Sequence, residues 1–263
     1  MSKKFSEVIS SRIWCETPEL DNPFAASSCV CCGYDVYNDL LKNARYSDYL
    51  YLLFKHKQPS AEQSALLEGL AIALANPGPR DHSVRAAMSA GVGGSTHASA
   101  LIAALAVGAG NLGGAREVFT ALEYWQHCHT DLDKWQQWIA DPPQLGREDI
   151  WHPMEHAPGF DPNGISCPTP VKQTLAHLVE VGNSETLRWL QACRTQLEDF
   201  AGCPLAFSGV AAAVLYELEF LPQEAEMLFL LLRLPGAAIH SLEQERLGWR
   251  KYPFFGDGFK LTS

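Results

Sequence analysis

An all-α fold is the reading the sequence favours, and three observations predict it. Strand patterning is scarce along the chain. Helix start and stop signals recur at short intervals. Between them, apolar residues return at helical rather than alternating spacing. With 263 residues the chain is long enough to bury a sizeable core in one large unit, and no repeat, low-complexity run or linker divides it. One domain over residues 1–263 is therefore expected, with the first 50 or so residues less regular.

The first clear signal is Ser60-Ala61-Glu62-Gln63, in which the serine can accept an orphan amide while the glutamine reaches back. The helix it opens carries Leu66, Leu67, Leu70 and Ile72 and stops at Asn76-Pro77-Gly78-Pro79. Ser95 to Leu112 is nearly all Ala, Gly, Leu, Ile and Val, which predicts a central helix buried on every side. It ends near Gly113-Gly114, and Val118, Phe119, Leu122 and Trp125 mark the next helix. Asp131 caps a shorter one with Leu132, Trp135, Trp138 and Ile139, closed by Pro142-Pro143. Gln144 to Cys167 lacks periodicity and reads as a long ordered loop, a class often functional. Pro170 then suits the first turn of a helix through Leu175, Leu178 and Val179. Ser184 to Phe200, Ser208 to Glu219 and a segment opened by Pro222 complete the set.

Composition narrows the function classes. Hydrophobic residues make up 47% and charged residues 19%, so part of the surface is expected to be covered by another subunit. A formal charge of -10 without a basic run argues against nucleic acid and against an anionic membrane surface. The longest apolar stretches, Ala98 to Val107 and Met227 to Leu232, fall short of the roughly 18 residues of a membrane span. Met1 to Ser10 is polar, and the expected location is cytoplasmic. The eight cysteines are then read as reduced thiols. Cys29 and Cys32 have metal-ligand spacing and His127-Cys128-His129 offers further ligands. No second pair follows, and two histidines flanking one residue on a helix diverge, so no metal site is assigned.

Three stretches in order resemble the citryl-CoA lyase module of ATP-citrate lyase and, more distantly, citrate synthase. Cys32-Gly33-Tyr34-Asp35, then Tyr51-Leu52-Leu53-Phe54 and Gln58-Pro59-Ser60, resemble the family's RGYD and LLL.GELPT motifs. Asp81-His82, Arg85 and Gly113-Gly114-Ala115 resemble its ADH, R and HGGA motifs. Arg233, Gly236, His240, Glu243 and Gln244 keep its R-x-x-G-x-x-x-H-x-x-E/D-Q pattern, and Arg250-Lys251-Tyr252-Pro253 continues it. The resemblance implies a citrate synthase-like helical fold, a large helical domain with a small helical subdomain. It also implies a homodimer or dimer of dimers, and C–C bond cleavage or condensation between an acyl-CoA and an oxo acid or polycarboxylate. The CoA thioester would be substrate, with no separate cofactor.

On that resemblance His82, Arg233 and Arg250 bind carboxylates, Arg250 from the partner subunit. Arg233 stands alone among Leu230, Leu231, Leu232 and Leu234, and a buried arginine needs an anion. That anion is either a ligand or an internal partner such as Glu226 or Glu243. The acid–base groups depart from the family. Leu112 replaces the histidine before the two glycines. The GFGHR loop reads Gly159-Phe160-Asp161-Pro162-Asn163-Gly164, and the segment Pro204 to Ala211, where an aspartate belongs, has no carboxylate. Within the long loop, His156 and Asp161 are the candidates to replace them, with Glu155 nearby. Loss of catalysis, leaving a CoA- or carboxylate-binding or regulatory subunit, is the competing reading. A nucleophilic cysteine, Cys167 or Cys31, is a third.

Overall fold

A computed structural model describes residues 11–22, 24–143 and 154–252. The chain divides into two compact units, residues 1–67 and 68–263.

The first unit holds a small antiparallel sheet that the sequence reading did not anticipate. Its strands are β1 (Trp14–Pro18), β2 (Ala26–Cys31) and β3 (Tyr34–Asp35), in that order across the sheet. Cys31 pairs with Tyr34 across a two-residue turn. Both turn residues are left-handed, Cys32 at φ 49° and Gly33 at φ 91°, the geometry whose twist suits a hairpin. Asp35 then accepts the amides of Tyr37 and Asn38, turning the chain into a π-helical stretch, Val36–Leu40, and the short α1 (Leu41–Asn43). Helix α2 (Tyr46–Lys55) follows, burying Leu50, Tyr51 and Leu52.

Helix α3 (Ala61–Ala75) runs across the division between the units. Its start is the expected reciprocal cap: the Gln63 amide donates to Ser60 Oγ, and the Ser60 amide to Gln63 Oε1. Leu66, Leu67, Leu70 and Leu74 are its buried face, whereas Ile72 points outward.

The second unit contains α4 (His82–Val92), α5 (His97–Gly108), α6 (Ala115–Cys128), α7 (Leu132–Ala140), α8 (Thr169–Gly182), α9 (Glu185–Ala201), α10 (Phe207–Glu217) and α11 (Pro222–Leu247). Caps fall where short polar residues precede apolar runs. Asp81, Thr96, Asp131 and Ser184 each accept first-turn amides, while Pro170 and Pro222 sit in first turns that need no amide hydrogen.

Helix α11 packs along α4, α5 and α6, and α10 packs on α6. Trp125 of α6 gathers Trp135, Trp189 and Tyr216 about it at ring-centroid separations of 5.0 to 5.6 Å. Gly236 lets α11 lie against the loop after α3; a Cβ there would stand 2.8 Å from the Ala75 carbonyl and from Asn76 Cα.

Two expectations change. Helix α5 is buried only along Ala100, Ala104 and Gly108, and Ile102 is 64% exposed, so its small residues serve close packing on one side rather than burial all round. Helix α11, at 26 residues, is long and apolar enough by length and composition to cross a membrane. In this fold it is a core helix carrying the buried Arg233.

Candidate functional site

The second unit has a cleft of about 620 Å³. One side is the turn between α3 and α4, with Asn76, Arg80, Asp81 and His82; the opposite side is Phe160, Asp161 and Asn163 of the long loop. Gly113 and Glu117 at the start of α6, Ser208 at the start of α10, and Phe229 and Arg233 of α11 complete it.

Four helices, α4, α6, α8 and α10, begin here. Asp81 caps α4, but no side chain caps α8, whose Pro168, Pro170 and Val171 line the cleft, or α10, whose Ala206, Phe207 and Ser208 do. Uncapped first turns carry partial positive charge. With Arg80, His82 and Arg233 they place positive charge in a cleft that also carries the carboxylates of Asp81, Glu117 and Asp161.

Arg233 is 7% exposed. Its guanidinium donates to the Gly113 carbonyl at 2.9 Å, lies over the Phe229 ring at 4.8 Å and is ion-paired to Asp81. The internal partner is thus Asp81, rather than Glu226 or Glu243. Burial pulls the guanidinium below its ordinary range, opposed by Asp81 and then Glu117. Asp81 does double duty, one oxygen receiving the Ser83 and Val84 amides and the other Arg233.

His82 opens α4 on the cleft wall and is exposed. Arg250 is also exposed, follows α11 on a short 3-10 turn with its guanidinium 5.3 Å from the Trp249 ring, and does not line this cleft. Asp161 is on the wall, half-buried, its carboxylate accepting the Asn163 amide at 2.9 Å. Its own amide donates to the Pro204 carbonyl at 2.8 Å, and the Ala206 amide donates to the Gly159 carbonyl at 2.9 Å. These bonds clamp the loop onto the start of α10, where Gly159 and Gly209 meet too closely for either to carry a Cβ. His156 is buried but is not a cleft-lining residue; its Nε2 lies 3.7 Å from Glu117 Oε2 with no hydrogen-bond partner.

Glu117 is the residue sequence reasoning missed. Its side chain is 1% exposed, yet it reaches the cleft floor. Oε1 accepts the Gly159 amide at 2.9 Å and the Ser208 hydroxyl at 2.7 Å, while Oε2 accepts the Gly113 amide. One carboxylate therefore joins the start of α6, the loop and the start of α10. Arg80 and Asn163 were also missed and line the walls.

The cysteine reading loses its physical support. Cys167 is buried, and burial together with Glu198 pushes its thiol up, opposite to what a nucleophile needs. Cys31 is fully buried, 4.0 Å from Cys32. Among the described residues no cluster of three or more His, Cys, Asp or Glu side chains is arranged to hold a metal ion.

This arrangement of helices about a cleft is the citrate synthase-like fold. The solved structures it resembles include a citryl-CoA lyase from Hydrogenobacter thermophilus at TM-score 0.70 and 17% identity, covering 98% of each chain. An ATP citrate lyase from Methanothrix soehngenii, in complex with citrate and coenzyme A, gives TM-score 0.73 at 16% identity over 98% of this chain and 42% of that one. Citrate synthase from Thermoplasma acidophilum, with carboxymethyl coenzyme A and oxaloacetate, gives 0.56 at 18% over 84% and 59%. No protein-family profile and no curated protein sequence matches the chain.

Proposed function

We propose that the chain binds a CoA thioester together with an oxo acid or polycarboxylate and catalyses C–C cleavage or condensation between them. The observation that carries the reading is the cleft itself. Buried Arg233, His82, Arg80 and two uncapped helix starts converge in it, in a fold whose solved examples include a citryl-CoA lyase and a citrate synthase. Arg233 and His82 are assigned to carboxylates of the ligand, Arg233 through the N–H groups left beyond those given to Asp81 and the Gly113 carbonyl. Asp161 on the cleft wall and His156 behind it are what the loop contributes to the acid–base chemistry in place of its GFGHR residues.

Arg250, which stands outside the cleft of its own chain, is assigned on the resemblance to the cleft of a second copy. Ile102 and Val107 of α5 and Met227, Leu231 and Ile239 of α11 are exposed apolar residues that a homodimer, or a dimer of dimers, would cover. The assignment of location remains the cytoplasm, with reduced thiols.

The test incubates the protein with citryl-CoA, and separately with acetyl-CoA plus oxaloacetate, following each CoA species by mass spectrometry. Turnover abolished by Arg233→Ala is the expected result. Tight binding of the thioester and citrate without turnover would instead favour the second reading, a binding or regulatory subunit. That reading is motivated by the absence of a carboxylate in Pro204 to Ala211.

A further inference from the structure

The sequence segment in which the resemblance expects a catalytic aspartate has no acid, but the space beside it does. Glu117 comes from another element, the first turn of α6, and places Oε1 2.7 Å from Ser208 Oγ inside that segment. The same oxygen is 2.9 Å from the amide of Gly159, at the head of the loop that has lost its histidine and arginine. Both depleted segments thus face one carboxylate, and that carboxylate is on the cleft floor. Behind it, away from the cleft lining, stands the buried imidazole of His156, its Nε2 unpaired at 3.7 Å.

A purely structural tie between three segments does not need a charge. Burying an ionised carboxylate costs several kcal/mol unless it is well paired, and neutral groups satisfy backbone amides without that cost. A desolvated carboxylate with a histidine in reach, opening on a cleft, is the environment in which acid–base groups are found.

We infer that Glu117 is the acid–base residue of this cleft, exchanging a proton with the carbon next to the thioester carbonyl, and that His156 is its positioning partner. The inference rests on the functional reading above. In the condensing direction the C–H bond breaks, an O–H bond forms on Glu117, and the electron pair moves onto the thioester oxygen. The first-turn amides of α10, capped by no side chain, stabilise that oxygen. In the cleaving direction the same proton returns to carbon. Asp161, half-buried on the wall, serves the oxygen of the second substrate. The charged and titratable groups around Glu117 are His156 of the loop, Arg233 of α11, Asp81 and His82 of α4 with Arg80 before them, and Asp161.

The experiment places the full chain with acetyl-CoA in heavy water and measures deuterium uptake at the methyl group, alongside equilibrium binding of acetyl-CoA and citrate. Glu117→Gln is expected to lose at least 100-fold in uptake while binding within about threefold of wild type, the range for removing an acid–base group. Should Glu117→Gln not fold, Ser208→Ala decides the point, because it removes the hydroxyl that positions Glu117 Oε1 and leaves the acid in place. Uptake should fall about tenfold while acetyl-CoA binding and stability stay close to wild type, as for a misplaced reacting group, whereas a purely structural tie would change stability and leave uptake per folded molecule unchanged. Uptake by a folded Glu117→Gln, or unchanged uptake in Ser208→Ala, overturns the inference and leaves the functional reading standing. Wild-type protein that binds acetyl-CoA without uptake overturns the inference in favour of the binding reading. Neither binding nor uptake overturns the functional reading and this inference together.

Discussion

Replacing Asp81 isolates the interaction on which one side of the cleft depends. Asp81→Asn keeps an oxygen able to accept the Ser83 and Val84 amides, so the cap of α4 survives. What disappears is the charge paired with Arg233, which keeps the Gly113 carbonyl, the face of Phe229 and the weaker pull of Glu117. Breaking a buried pair from one side costs about 3–5 kcal/mol. The arginine side chain is 8% exposed and the carboxylate 16%, and the pair borders an open cleft. Water therefore repays part of the loss, and about 2–4 kcal/mol is expected. Asp81→Ala should cost about 1 kcal/mol more, through the cap. Arg233→Met leaves Asp81 with its helix amides and is expected to cost less. Joining it to Asp81→Asn should reveal a coupling of about 2 kcal/mol. Urea denaturation of the wild type and the four variants gives these numbers directly. A loss below about 1 kcal/mol for Asp81→Asn, or strict additivity in the double variant, would refute the argument that this charge pair holds the cleft wall.

Gly236→Ala drives a methyl to 2.8 Å from the backbone of Ala75 and Asn76, which cannot move aside as a side chain would, so a loss of about 1–3 kcal/mol is expected in the same assay. Glu123 has its carboxyl raised by burial, against the pull of Arg116; the folded state therefore holds its proton more tightly than the unfolded one. Its contribution is best at low pH and is lost as pH rises through the folded value. Glu123→Gln should thus stabilise the protein at pH 7, with the gain vanishing below the carboxylate range. In alkylation followed by mass spectrometry, exposed Cys15 should label first. Buried Cys128, whose thiol burial pushes up to about 11, should label only on unfolding.

The helix starts were legible because capping is chemistry between residues two or three apart. Ser60 with Gln63, Asp131 and Ser184 act where their sequence placed them. The sheet was not. β1 is exposed along its length and shows no inside–outside alternation, and its pairing with β2 depends on residues 8 to 17 positions away. The isolation of Arg233 among leucines announced a buried charge, but its partner Asp81 lies 152 positions away and resembled an ordinary helix cap. Glu117 was hidden by the same ambiguity. An acid in the first turn of a helix is commonplace, and only Gly159 and Ser208, 42 and 91 positions on, make it a buried one. The hint available was its place between Ala115 and Val118, on a stretch otherwise fit for burial.

The position of α11 at the end of the described chain has a consequence for how the molecule is made. Its neighbours α4, α5 and α6 are complete by residue 128, yet the surface they present to α11 waits for residues 222–247. The contacts that close the cleft, from Arg233 to Gly113 and to Asp81, span 120 and 152 positions. Contacts of such separation form late and slowly. During synthesis the earlier helices emerge with an apolar face open, so the nascent chain should depend on chaperone binding until α11 arrives.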